Sequence, residues 1–204
     1  MDPQYRYPGT RSFERKEADV FFGREGDTQQ LWRLLRLEQL VVLYGKSGLG
    51  KSSLINAGIL PLVDRFNDRL PEEEEEADRL AIEEIRFGAF QKDSRHPLEV
   101  LRGRVAAEPL APLLAGLEQE APPLWLACKN RQLQGDGQET LLLIFDQFEE
   151  LFTYPEEQVR EFKEALADLA QATTPTGFRR AVFEKSRAAA GQRSKADFQE
   201  LLRP

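Results

Sequence analysis

Residues 41–58 read VVLYGKSGLGKSSLINAG, an apolar run that breaks into a glycine-rich turn and ends on Lys51, Ser52 and Ser53. Gly45, Lys46, Ser47, Gly48, Leu49, Gly50, Lys51 and Ser52 satisfy G-x-x-x-x-G-K-[ST] at every position, the pattern of a phosphate-binding loop set between a strand and a helix. The chemistry accounts for the spacing. Glycines let the backbone curl until successive N–H groups point inward, and a helix opening near Lys51 adds its positive end to the same concavity. Lys51 then reaches the β- and γ-phosphates, and the Ser52 hydroxyl ligates Mg²⁺. This reading predicts a strand over Gln39–Tyr44 and a helix from Ser52 to about Gly58, stopped before Pro61.

The flanking sequence supplies the elements such a loop needs. The opening segment to Asp19 contains Pro3, Pro8 and Gly9 and keeps no period, so it reads as an extended arm, with residues 20–204 forming one domain. Leu31, Leu34 and Leu35 follow helical spacing after a cap at Asp27 or Thr28. A second strand is expected over Ile85–Phe90, a helix beginning at Pro97 with His96 at its start, and another in PPLWLACKNRQL. The run LLLIF ending in Asp146 has the continuous apolar character of a parallel strand buried on both faces. Val159, Phe162, Leu166 and Leu169 mark an amphipathic helix, and the arginine-rich tail from Phe178 reads as a further one. Strands separated by helices predict an α/β fold with a mainly parallel sheet.

A phosphate loop needs an acid to hold the metal's water shell, placed at the carboxyl end of a neighbouring strand. Asp146 stands where that acid is expected, so Ser52 and Asp146 are the candidate Mg²⁺ ligands. The residue after Asp146 is Gln147. Glutamine can orient water but cannot take its proton, so hydrolysis is expected to be slow unless Glu149 or Glu150 acts as the base. Both glutamates also suit the first turn of a helix, where the dipole favours them.

Composition narrows the alternatives. The chain has 204 residues, 41% hydrophobic and 31% charged, with a formal charge of −7. That balance argues against whole-surface attraction to nucleic acid or anionic lipid, so an anionic ligand must be held by a local device. One cysteine, Cys128, and one histidine, His96, cannot build a disulfide framework or a Cys/His zinc site within one chain. Cys128 reads as a small buried hydrophobe. The five consecutive glutamates at 72–76 read as a solvated loop or helix start. MDPQYRYPGTRSFERK lacks the apolar core of a signal peptide, and no run approaches the roughly 20 apolar residues that cross a bilayer, so the cytoplasm is the expected compartment.

Together, FFGRE, GKSGLGKSS, AGILP and LLLIFDQFEELFTYPEE resemble the STAND class of P-loop NTPases, in particular its bacterial novel-STAND branch. The resemblance covers about Val20 to Tyr154. It implies a three-layer P-loop sandwich and an ATP-binding signalling switch coupled to sensor and effector domains outside this chain, with nucleotide-dependent homo-oligomerisation as a possible property. It also implies that Phe22, Gly23 and Arg24 lie near adenine and ribose, with Glu25 positional. The loop contacts would come from Gly45, Ser47, Gly48, Leu49, Gly50, Lys51, Ser52 and Ser53. Adenine over guanine rests on this resemblance, and no Asn-Lys-x-Asp motif is present. Where such proteins continue into a sensor strand and helical lid, this chain shows only helical segments after Asp146, so the sandwich is expected to be incomplete and regulated hydrolysis weak or absent.

Four other readings remain, one of them a DNA-loading relative of the AAA+ class, which the acidic balance and the lack of a recognisable DNA-binding helix pair weaken. An ABC-type ATPase calls for an LSGGQ-like signature, where this chain has LQGDGQ, and a small-molecule kinase calls for an arginine-rich lid, to which Arg179, Arg180, Arg187 and Arg193 could belong. A noncatalytic assembly module with nucleotide as a structural ligand is favoured by Gln147.

Overall fold

The computed structural model describes residues 11–70, 79–134, 139–171, 173–188 and 201–202. Packing divides the chain into two compact units, Met1–Ala77 and Asp78–Pro204. Helix and strand are mixed, and among the described residues the sheet has two strands.

In the first unit, Arg15–Val20 form a 3-10 turn where an extended arm is expected. Glu17 is the cause: its carboxylate accepts from the backbone N–H of Glu14 and from the Arg11 guanidinium, closing a capping box on itself. Helix α1 (Glu25–Leu37) carries Glu25 and Asp27 in its first turn and Arg36 in its last, each sign matched to the dipole. It buries Leu31 and sets Trp32 edge-on against Phe66, with centroids 5.7 Å apart.

The strand expected over Gln39–Tyr44 is not formed. Those residues have no regular structure, and Leu40, Val42 and Tyr44 are 65%, 71% and 88% exposed. An apolar strand draws its stability from ladder partners and covered faces. Both strands of the sheet belong to the second unit, and the elements of this segment's own unit among the described residues are helical.

The helix after the loop also departs from expectation by running through Pro61. It opens as α2 (Lys51–Ser53), widens into a π-helical stretch over Leu54–Ile59, and continues as α3 (Leu60–Asn67). Proline normally breaks a helix because it lacks an N–H and its ring meets the carbonyl four residues back. Here the widening precedes it: the Leu60 N–H bonds to Ile55 O, five residues back, and Pro61 sits in the first turn of the resumed α-helix, where its missing donor matters least.

The second unit is built on β1 (Arg79–Arg86) and β2 (Glu139–Asp146), paired in parallel from Arg79↔Glu139 to Arg86↔Asp146. Two helices, α4 (Pro97–Val105) and α5 (Pro123–Gln134), lie in the crossover that a parallel pair requires. β1 starts and stops earlier than the expected Ile85–Phe90. A ladder lasts only while both strands do, and β2 ends at Asp146 opposite Arg86; Glu83 and Glu84 obscure the strand in the sequence. Phe87 leaves the ladder for the core, 2% exposed and ringed by Phe145, Phe148, Tyr154 and Phe162 at centroid distances of 5.4–6.4 Å.

Helix α6 (Glu156–Leu169) covers this cluster with Val159 and Phe162, and Leu166 and Leu169 pack at its margin, as the spacing predicts. A second cluster joins Leu114, Leu117 and Trp125 to Phe178 and Val182 of α7 (Thr176–Ala188). Each side chain so buried contributes about 1.5–3 kcal/mol. His96 starts α4 as expected: its Nδ1 accepts from the Leu98 N–H at 3.2 Å, leaving Nε2 3.2 Å from Glu161. Cys128 packs against the first cluster. The glutamate run at 72–76 and Arg193 lie outside the described residues.

Candidate functional site

The sequence-selected residues fall into two groups, one in each unit. In the first, the glycine loop follows the irregular segment and turns into the helix at Lys51. Gly48 and Gly50 adopt φ of +82° and +76°, a left-handed conformation that a Cβ disfavours, which is why glycine is needed at these two positions. A Cβ on Gly48 would meet nothing within 4 Å, so the loop faces open space there. Ser47 and Leu49 are exposed at the loop's tip, whereas Ser52 and Ser53 belong to the first helical turn.

Lys51 folds over its own loop. Its Nζ donates to Gly45 O at 2.8 Å and to Lys46 O at 3.3 Å, so the ammonium sits above the turn that precedes it. Ser53 faces inward, and its Oγ accepts from the Phe13 N–H at 3.1 Å, tying the N-terminal segment to the start of the helix.

Phe22 is 76% exposed, and Gly23 has φ of +81°. Arg24, the residue before α1, reaches the glycine loop: its Nη1 donates to Leu49 O at 3.1 Å while its Nε pairs with Asp27. The Glu25 carboxylate accepts from its own backbone N–H and from that of Gly23 at 3.0 Å, and these bonds hold it below the usual carboxylate range. Glu25 thus fixes the turn at Gly23. Thr28 completes the arrangement, donating from Oγ1 to Arg24 O at 2.8 Å and abutting Gly58 of the π stretch.

In the second unit, Asp146 ends β2 and Gln147 follows with φ of +55°. Glu149 and Glu150 lie in a 3-10 turn, Phe148–Thr153, pinned by Thr153, whose Oγ1 donates to Glu150 O and accepts from the Phe90 N–H, both at 2.7 Å. Arg86 donates from Nε to Gln147 Oε1 at 2.7 Å.

Three contacts escaped the sequence reading: Thr28 with Gly58, Phe13 with Ser53, and Arg86 with Gln147. The first had a faint signal, a small residue in NAGILP where a helix is closely approached. The others join residues 40 and 61 positions apart, and no local pattern announces them.

Among the described residues no group of three or more His, Cys, Asp or Glu side chains forms a protein-built metal cage, and no helix is long and apolar enough to cross a membrane. A protein-family model described as Novel STAND NTPase 1 matches residues 6–200. No curated protein and no solved structure matches the chain.

Proposed function

This chain belongs to the Novel STAND NTPase 1 family, and on that footing we propose that it is an ATP- and Mg²⁺-binding switch module of a larger signalling protein. The observation that carries the reading is the loop: two left-handed glycines, 48 and 50, lead directly into a helix whose first residue is Lys51. Such a turn aims backbone N–H groups and the helix's positive end at one point, which suits an anion.

In this reading the N–H groups of residues 45–53 bind the phosphates, and Lys51 gives up its contacts with the Gly45 and Lys46 carbonyls for phosphate oxygens. Ser52 and Asp146 would hold Mg²⁺, with phosphate and water as its other ligands. Held by these residues, Mg²⁺ would supply positive charge against the phosphates. Phe22 and Arg24 face the nucleoside, and Glu149 or Glu150 is the base for slow hydrolysis. A P-loop sandwich built on residues 20–204 belongs to this proposal, as do sensor and effector domains elsewhere and nucleotide-dependent self-association. ATP would bias a two-state arrangement through its differential affinity for the two states.

A noncatalytic assembly module is the second reading, favoured by Gln147 in the place of a water-activating acid. Titration calorimetry of ATP, with and without Mg²⁺, into the wild type and Lys51→Ala tests the core of the proposal. Saturable binding that is lost in Lys51→Ala is the expected outcome, and a folded wild type that binds no ATP refutes it. Turnover abolished by Glu149→Ala or Glu150→Ala would favour the enzyme, and stoichiometric binding without turnover the assembly module.

A further inference from the structure

One continuous stretch of the first unit grips the end of the glycine loop at two points. Arg24 Nη1 donates to Leu49 O and the Phe13 N–H donates to Ser53 Oγ, each at 3.1 Å, with Gly50, Lys51 and Ser52 between the two grips. The part of the stretch nearest Phe13 carries its own bracing. The rings of Phe13 and Phe21 lie 5.3 Å apart, and the buried Glu17 carboxylate takes both the Arg11 guanidinium and the Glu14 N–H. Arg15 adds a bond from Nε to Asp64 Oδ2 at 2.8 Å, but that pair is exposed and contributes little.

Ser53 is where this stretch meets the phosphate site. The residue is 8% exposed, its side chain is the acceptor for Phe13, and its backbone belongs to the opening helical turn, Lys51–Ser53. A ligand that fixes this turn also fixes the acceptor that Phe13 needs. A docked Phe13, in turn, holds the turn in place for the ligand.

Resting on the nucleotide reading above, we propose that the segment 11–21 is a clasp on the phosphate-loop helix whose hold tightens when the loop is filled, with Ser53 as the residue that transmits occupancy to it. The coupling is reciprocal: the factor by which nucleotide strengthens the Phe13–Ser53 contact is the factor by which that contact strengthens nucleotide binding. Phe13 is a positioning residue, acting through Ser53. The filled or empty state of the loop is thereby reported on the N-terminal side of the motif, within the first unit alone.

Two readouts on the full chain test this. Hydrogen exchange at the Phe13 amide, followed with and without ATP and Mg²⁺, should slow about fivefold at saturation in the wild type, the order of one hydrogen bond. In Ser53→Ala, which keeps the backbone N–H of the turn but lacks the acceptor, the slowing should vanish. Titration calorimetry of ATP with Mg²⁺ into Phe13→Ala and Phe13→Pro isolates the donor, because both lack the ring and only proline lacks the N–H. Phe13→Pro should bind about fivefold more weakly than Phe13→Ala, the equivalent of about 1 kcal/mol. Equal affinities of the two variants, or a Phe13 amide whose exchange ATP leaves unchanged, overturn the inference while the nucleotide reading stands. A wild type that binds no ATP overturns both. Should Phe13→Pro fail to fold, judged by Trp32 fluorescence, the exchange comparison of wild type with Ser53→Ala decides.

Discussion

Gly58→Ala tests how α1 is seated against the helix that carries the phosphate loop. The added methyl would lie 2.8 Å from Thr28 Oγ1 and 3.2 Å from Thr28 Cγ2. Threonine is stiff at χ1, and its hydroxyl is already committed to Arg24 O. Relief requires turning Thr28 away from that bond or separating the helices, a cost of about 1–3 kcal/mol. Alanine recovers about 0.5–1 kcal/mol over glycine within a helix, so Gly58→Ala should destabilise by about 0.5–2 kcal/mol in the wild type. In Thr28→Ala both obstructing atoms are gone, and the same change should stabilise by about 0.5–1 kcal/mol. The coupling energy is then about 1–3 kcal/mol. Urea unfolding followed by Trp32 fluorescence in a Trp125→Phe background measures it, since Trp32 reports the contact of α1 with Phe66. Equal effects of Gly58→Ala in the two backgrounds would refute the packing argument.

Other perturbations have equally defined outcomes. The Arg11 side chain, with the Glu14 N–H, lowers the Glu17 carboxyl from 4.5 to about 2; a carboxylate depressed on folding stabilises above its unfolded pKa and loses that contribution as pH falls through the folded value. Stability read by Trp32 should therefore decline between about pH 4.5 and 2, and less steeply in Glu17→Gln; identical profiles would remove Glu17 from the account. Burial pushes the Cys128 thiol up to about 12, so a thiolate-selective reagent at pH 8 should label it slowly in buffer and fast only in unfolding urea. Rapid labelling of the folded chain would contradict that burial. Phe87→Ala should cost about 3–5 kcal/mol by Trp125-monitored unfolding, because four rings pack around it; a loss below about 1 kcal/mol would mean the ring cluster is not packed.

Much of the helical content was legible because its signals are local. Val159, Phe162, Leu166 and Leu169 recur at helical spacing, His96 precedes Pro97 as a cap precedes a first turn, and α6 and α4 follow within a residue or two. The glycine loop was legible for the same reason, since its left-handed turns and helix start are encoded in eight consecutive residues. Failures came where an element depends on something distant. VVLY reads as a strand by composition, yet a strand needs a ladder partner, and 39–44 finds none among the described residues. Pro61 reads as a stop, yet the π stretch before it absorbs the missing donor.

From the sequence alone came the phosphate-loop motif, the alternation of helix and strand, the acid closing an apolar strand at Asp146, and the family these residues resemble. Each is read from patterns local to short segments, dictated by backbone freedom and side-chain period. Only the tertiary structure decided that β1 and β2 pair in register up to Arg86 and Asp146, that Thr28 meets Gly58, and that Arg86 takes the oxygen of Gln147. Each of these joins residues 30 or more positions apart. Such contacts depend on how whole elements pack, and the residues that make them carry no local mark of their partner.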